Sequence, residues 1–121
     1  MEFRMLEAAI PTLRYAVVRQ FYAELLGLPI ASEGRSHVFF QVGGCKIAVL
    51  DCTGGDKTVR PSGHGIYLDL AVSDLFSVRR NLLRRGIKLI DDRRDEHGVA
   101  ISFQDPEGNL LNLFQEGSFS E

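Results

Sequence analysis

The run Ala100-Ile101-Ser102-Phe103-Gln104-Asp105-Pro106-Glu107-Gly108-Asn109-Leu110-Leu111-Asn112-Leu113-Phe114-Gln115 sets two apolar-rich segments on either side of Asp-Pro-Glu-Gly-Asn. Pro106 presets φ for a turn, Asp105 can bond the backbone ahead of it, and Gly108 or Asn109 can take a positive φ. The spacing predicts strand, turn, strand. A fainter copy of this pattern lies earlier in the chain, at Phe39-Phe40-Gln41-Val42-Gly43-Gly44-Cys45-Lys46-Ile47-Ala48-Val49-Leu50. Two such hairpins in one short chain point to a duplicated unit.

The rest of the chain supports the duplication. In the first half, Met5 to Ile10 is an apolar run carrying one charge, Glu7. Pro11 is expected to end it, since proline cannot donate to a ladder. Thr12 offers a capping oxygen, and Leu13, Ala16, Val17, Phe21, Leu25 and Leu28 follow at helical spacing, with Gly27 in position to close the helix. Strands are predicted over 28–33, 36–42 and 45–51. In the second half, 66–72 reads as a strand and Ser73 as a cap. Leu75, Val78, Leu82 and Leu83 form a helical stripe closed at Gly86. A strand over 87–93, a turn over 95–98 and the final hairpin complete it. Tyr67 lies 60 residues after Glu7, Gly86 59 after Gly27, Phe103 63 after Phe40, and Asn112 64 after Ala48. The expected fold is α+β: two tandem βαβββ modules forming a curved mixed sheet with the helices on its convex face. Module one covers about 3–52, a breaker-rich linker about 53–63, and module two about 64–115, together a single domain over 1–121.

Composition narrows the function classes. Of 121 residues, 45% are hydrophobic and 25% charged, the balance of an ordinary globular domain. With 14 basic and 16 acidic residues the net charge is −2, which gives no electrostatic case for nucleic acid. No apolar run is long enough for a membrane helix, and no signal-peptide core follows Met1. Cys45 and Cys52 form no CxxC pair and read as free thiols of a reducing cytosol, with a metal pair as the alternative, so a cytoplasmic chain is expected.

Strand alternation sorts the side chains onto two faces. One set is apolar and should pack under the helices: Leu6, Ala8, Ile10, Ile47, Val49, Leu68, Leu70, Val72, Ile101, Phe103, Leu111 and Leu113. The other mixes polar and aromatic groups, as a ligand cavity does: Glu7, Ala9, His37, Phe39, Lys46, Ala48, Leu50, Tyr67, Asp69, Ser102, Asn112 and Phe114.

Phe21-Tyr22-Ala23-Glu24-Leu25-Leu26-Gly27-Leu28 resembles the FYxxLLGL helix ending of the vicinal oxygen chelate superfamily. Asp105-Pro106-Glu107-Gly108-Asn109 followed by Leu113 is similar to its DPxGNxxxL signature, and Val72-Ser73-Asp74-Leu75 stands where its second helix begins. This superfamily includes glyoxalase I, extradiol dioxygenases, fosfomycin-modifying enzymes and bleomycin resistance proteins. The resemblance implies a cavity that in catalytic members holds a divalent metal. The implied ligand positions fall on Glu7, Ala48, Tyr67 and Asn112. Only Glu7 is a good ligand: alanine has no donor, Asn112 is a weak neutral one, and Tyr67 would have to lose a proton with a pKa near ~10. Catalytic sites use about three protein ligands, so neither metal nor cofactor is expected. A shifted register that brought His64 inward is the route by which a metal could still bind.

What the resemblance then implies is the metal-free branch. The expected function is small-molecule binding of the bleomycin-resistance or sequestration type, with the ligand held by Glu7, Phe39, Tyr67, Asp69, Asn112 and Phe114. The partner is a small organic molecule, with neither nucleic acid nor membrane, and the chain is expected to be a homodimer, strand-exchanged or compact. The alternative is a divalent-metal-dependent glyoxalase-like lyase, isomerase or dioxygenase. Glu7 with His37 could in principle form an acid–base pair, and Glu7 with Lys46 or an arginine a plain ion pair. Asn112 and Tyr67 could instead bond each other. Arg79-Arg80 and Arg84-Arg85 read as a solvated helix face.

Overall fold

The computed structural model describes Glu2 and residues 6–53, 66–95 and 98–117. The chain forms two compact units, residues 1–63 and 64–121. Unit one runs β1 (Glu7–Thr12), α1 (Tyr15–Gln20), β2 (Ile30–Glu33), β3 (His37–Val42) and β4 (Cys45–Asp51). Unit two runs β5 (Tyr67–Val72), α2 (Leu75–Arg84), β6 (Asp91–Asp95), β7 (Gly98–Gln104) and β8 (Leu110–Gln115). Each unit is βαβββ with a four-stranded mixed sheet, ordered β1-β4-β3-β2 and β5-β8-β7-β6. The first strand of each lies parallel to the last, and the others are antiparallel.

The duplication extends to register and to side-chain chemistry. Glu7 faces Lys46 and Ala9 faces Ala48, just as Tyr67 faces Leu110 and Asp69 faces Asn112. Arg19 of α1 grips Glu33 of β2 through Nε–Oε2 at 2.6 Å and Nη2–Oε1 at 2.9 Å. Arg79 of α2 grips Asp92 of β6 through Nε and Nη2 at 3.0 and 2.6 Å. Each arginine holds its partner's carboxyl below the usual carboxylate range, chiefly through the hydrogen bond. Both bridges are exposed and salt-screened, so they orient helix against sheet edge more than they stabilise it.

The sorting of faces follows the alternation. On the helix side Ile10, Val38, Phe40, Ile47 and Val49 are buried in unit one, as are Leu68, Ile101, Phe103, Leu111 and Leu113 in unit two. Tyr22 is fully buried, with its ring 6.1 Å from that of Phe40. It stands in a π-type turn, Phe21–Leu25, that continues α1. There the Leu26 N–H reaches back five residues to the Phe21 carbonyl at 3.0 Å. Gly27, at φ 68°, and Gly86, at φ 84°, close the two helices.

Several boundaries differ from expectation. Pro11 does not end β1, which continues to Thr12; β1 is an edge strand, where a missing N–H costs little. Thr12 is therefore a buried strand residue, whose Oγ1 accepts the Arg14 N–H at 2.8 Å, and it does not cap α1. The cap of α2 is Asp74, one residue after Ser73: its carboxylate takes the Ser77 N–H at 3.1 Å and the Ser77 hydroxyl at 2.7 Å. These bonds hold the Asp74 carboxyl below the usual range. Residues 87–90 precede β6 rather than belonging to it. Leu6 lies outside β1 and is 68% exposed. Most of the linker lies outside the described residues, as do Glu96 and His97.

Two side chains make local predictions. Gln115 accepts the Leu75 N–H on Oε1 at 2.8 Å and donates to the Ser73 carbonyl at 2.7 Å, so the last strand satisfies the start of α2. Gln115→Ala should lower stability by about 1 kcal/mol, the usual value of a lost cap, read by urea denaturation. The Tyr15 hydroxyl is buried and has no hydrogen-bond partner among the described residues. Burial, then the Glu33 charge, raises its pKa above the tyrosine range. A raised pKa gives stability that is complete below the unfolded value and is lost as pH rises through the folded one. Tyr15→Phe should thus be neutral or stabilising by up to about 1 kcal/mol at pH 7. It should also weaken the loss of stability above pH ~10, which thermal melts across that range would record.

Candidate functional site

The face of each sheet away from its helix carries the candidate residues. In unit one, Glu7, Lys46 and Gln41 occupy one row across β1, β4 and β3. Ala9, Ala48 and Phe39 form the next row, joined from β2 by Ser32, which pairs with Phe39. Around these rows lies a depression of about 430 Å³, lined by Leu6, Glu7, Ser32, Phe39, Gln41, Gly44 and Lys46. Its volume is in the range of small-molecule sites. Gln41 donates Nε2 to the carbonyls of Gly43 and Cys45 at 2.6 and 3.2 Å, which fixes its amide beside the β3–β4 turn. The Glu7 carboxylate and the Lys46 ammonium have no hydrogen-bond or ion-pair partner among the described residues. They stand on neighbouring strands in direct register, yet no ion pair forms between them.

The register also separates Glu7 from His37. His37 pairs with Leu50, four positions along β4 from Lys46. Four strand residues span roughly 13 Å, too far for direct proton transfer. His37 instead tilts against Phe39, ring centres 5.1 Å apart, and sits over Gly34. No acid–base pair exists there.

Unit two carries a different polar row. Asn112 donates Nδ2 to Asp69 Oδ1 at 2.8 Å, and Ser102 Oγ donates to Asn112 Oδ1 at 2.6 Å. Both ends of the amide are thus committed, and to Asp69 and Ser102 rather than to Tyr67. Tyr67 begins β5 with its side chain 76% exposed. Phe114, half-buried, lies opposite Ala100 and Ala71 on the same face. Of the sequence-derived candidates, Glu7 and Phe39 thus share the depression of unit one, and Asp69 and Asn112 share a hydrogen-bonded row in unit two. Ser32, Gln41 and Lys46 line the depression without having been singled out as ligand contacts. Strand alternation from Phe39 would have found Gln41, whereas Ser32 depends on a register shift between Ile30 and Ser32 that no pattern signals.

Asp105 and Asn109, both buried, explain the turn signature. Asp105 Oδ1 accepts the N–H groups of Glu107 and Asn109, each at 2.8 Å, and Oδ2 accepts Asn109 Nδ2 at 2.8 Å. Asn109 Oδ1 accepts the Ile66 N–H at 2.8 Å, tying the start of β5 to this turn. Gly108 takes φ 90°, which only glycine does freely. The motif is an architectural clasp.

Among the described residues, no helix is long and apolar enough to cross a membrane. No curated protein matches the sequence. Solved structures do match in fold. A lactoylglutathione lyase from Agrobacterium tumefaciens superposes with a TM-score of 0.77 at 16% identity, over 96% of each chain. TnmS3, an antibiotic binding protein from a Streptomyces species, gives 0.77 at 20% identity, over 94% of this chain and 96% of its own. A glyoxalase/bleomycin resistance protein/dioxygenase from Nocardioides gives 0.73 at 21%, over 97% and 87%. The model of one family matches residues 4–113, nearly the whole chain. The chain belongs to the Glyoxalase/Bleomycin resistance protein/Dioxygenase superfamily.

Proposed function

We propose that this chain is a metal-free small-molecule-binding protein of the sequestration type. The observation that carries the reading is the donor set at the positions where the family holds its metal. In unit one, Ala48 offers no donor, and Glu7 has the Lys46 ammonium as its register neighbour, a charge that opposes a cation. In unit two, the Asn112 oxygen already accepts a hydrogen bond, and Tyr67 offers a phenol where a carboxylate or imidazole would be needed. Among the described residues no three His, Cys, Asp or Glu side chains cluster as metal ligands; His64 lies outside those residues. The residues present do not fit a divalent ion.

They do suit an organic guest. An unpaired carboxylate, an unpaired ammonium and a fixed amide lie in one row beside the Phe39 ring. That row matches a molecule with an aromatic or apolar body and both a donor, for Glu7, and an acceptor, for Lys46. In unit two, taken by itself, the reading assigns guest contacts to Tyr67, Asp69, Asn112 and Phe114. An antibiotic binding protein among the structural neighbours is consistent with such a role. A homodimer, strand-exchanged or compact, accompanies this reading and would be seen as a dimer mass by light scattering.

The test is a thermal-shift screen of small aromatic zwitterions, followed by heteronuclear NMR with the best hit. Shifts at Phe39, Gln41 and Lys46 support the reading. Hits that leave these amides unmoved, or turnover that a chelator abolishes, contradict it.

A further inference from the structure

We propose a second ligand site, on the helix side of unit two, that takes a small amphipathic acid. It is a groove of about 390 Å³ between α2 and the edge strand β6, on the opposite side of the sheet from Asp69 and Asn112. Its floor is Ile101 and Val99 of β7, and its wall is Leu75 and Phe76 at the start of α2. Phe76 is 66% exposed, an unusual state for a phenylalanine beside an apolar floor. Arg80 lies over one side of its ring, with its guanidinium carbon 5.6 Å from the ring centre.

Charge defines the ligand class. Asp92 and Arg94 pair with Ile101 and Val99, so both project on the groove side. Asp92 is spent on Arg79. The Arg94 guanidinium makes no hydrogen bond among the described residues, and its charge reaches the Asp92 carboxyl only as a weaker effect behind Arg79. An apolar slot with an aromatic wall, edged by the Arg93 and Arg94 guanidinium groups beside the Arg79–Asp92 bridge, has more positive than negative charge at its rim and suits an apolar body ending in a carboxylate. The fork of Arg94 would hold the carboxylate in two parallel hydrogen bonds.

The repeat explains why the groove is open. The position of Leu75 is occupied in unit one by Tyr15, which also begins its helix. The buried Tyr15 hydroxyl feels the charges of Glu33 and Arg19, so the phenol lies against the bridge equivalent to Arg79–Asp92. Unit one has a phenol at this position and unit two the shorter leucine, beside which the groove lies. The site is thus independent of the polar-face reading above.

The probe is 3-phenylpropanoate, with 3-phenylpropanamide as its uncharged twin, titrated into isotope-labelled full-length protein by NMR. The expected result is shifts at Phe76, Arg94, Val99 and Ile101, unchanged in Glu7→Lys, with Arg94→Gln weakening binding about tenfold, the usual value of one charge-assisted contact. Phe76→Ser should weaken it similarly, and the amide should bind no better than it does to Arg94→Gln. Arg94 and Phe76 are exposed, so neither variant threatens the fold. Shifts confined to the polar face, equal affinity in Arg94→Gln, or equal binding of the amide would overturn the proposal.

Discussion

Asn109→Ala should lower the stability of the chain by about 3 kcal/mol and its melting temperature by roughly 10 °C. The side chain is buried and both its polar atoms are used, on the Ile66 N–H and on Asp105 Oδ2. Alanine leaves a backbone donor and a carboxylate oxygen without these partners, and each such loss typically costs about 1–3 kcal/mol. The effect should exceed that of a missing cap because two elements distant in sequence are released together: the entry to β5 and the β7–β8 turn. Asn109→Asp would keep the acceptor for Ile66 but set a second carboxylate beside Asp105, so it should rescue little at pH 7. Gln104→Ala, an exposed change on β7, should stay within about 0.5 kcal/mol and serves as control. Denaturant melts that show a loss below about 1 kcal/mol for Asn109→Ala would mean the clasp is not holding β5.

Glu7→Lys should abolish guest binding on the polar face while leaving the fold intact. Glu7 is exposed and makes no bond among the described residues, so its removal should move the melting temperature of the free protein little. The substitution both deletes the acceptor and places a second ammonium beside Lys46. Loss of a charged hydrogen bond is worth about 1.5–3 kcal/mol, and the added repulsion takes the expected loss of affinity to on the order of 100-fold or more. Glu7→Gln, which keeps size and one acceptor, should lose about tenfold. Calorimetric titration with the screened zwitterion reads both, and equal affinity in wild type and Glu7→Lys would place the guest elsewhere.

Much of the architecture was legible because it depends on alternation and turn chemistry. The apolar set from Ile10 to Leu113 needed only a period of two to be assigned to the helix side, and Gly27 and Gly86 to close the helices. The errors fell where tertiary context decides. Pro11 stays in β1 because that strand happens to be an edge. Asp74 caps α2, not Ser73, because Ser77 lies at the right distance to donate twice. For the candidate site, alternation placed Glu7, Phe39, Asp69 and Asn112 on one kind of face, but their partners are set by register. Asn112 finds Asp69, and His37 is four positions from Glu7; neither relation can be read from one chain's residue spacing. The duplicated Arg19–Glu33 and Arg79–Asp92 bridges were also out of reach, since helix-to-edge contacts join residues 14 and 13 positions apart.

Titration of Ni²⁺, Zn²⁺ and Mn²⁺ into chelator-treated, dialysed protein, with the bound ion counted by elemental analysis, is the most direct check on the central claim that these residues hold an organic guest and not a cation. The account expects less than stoichiometric, Glu7-independent uptake and no change in the NMR signals of Ala48, Tyr67 and Asn112. One tightly held ion per chain, lost in Glu7→Ala and shifting those signals, would contradict it.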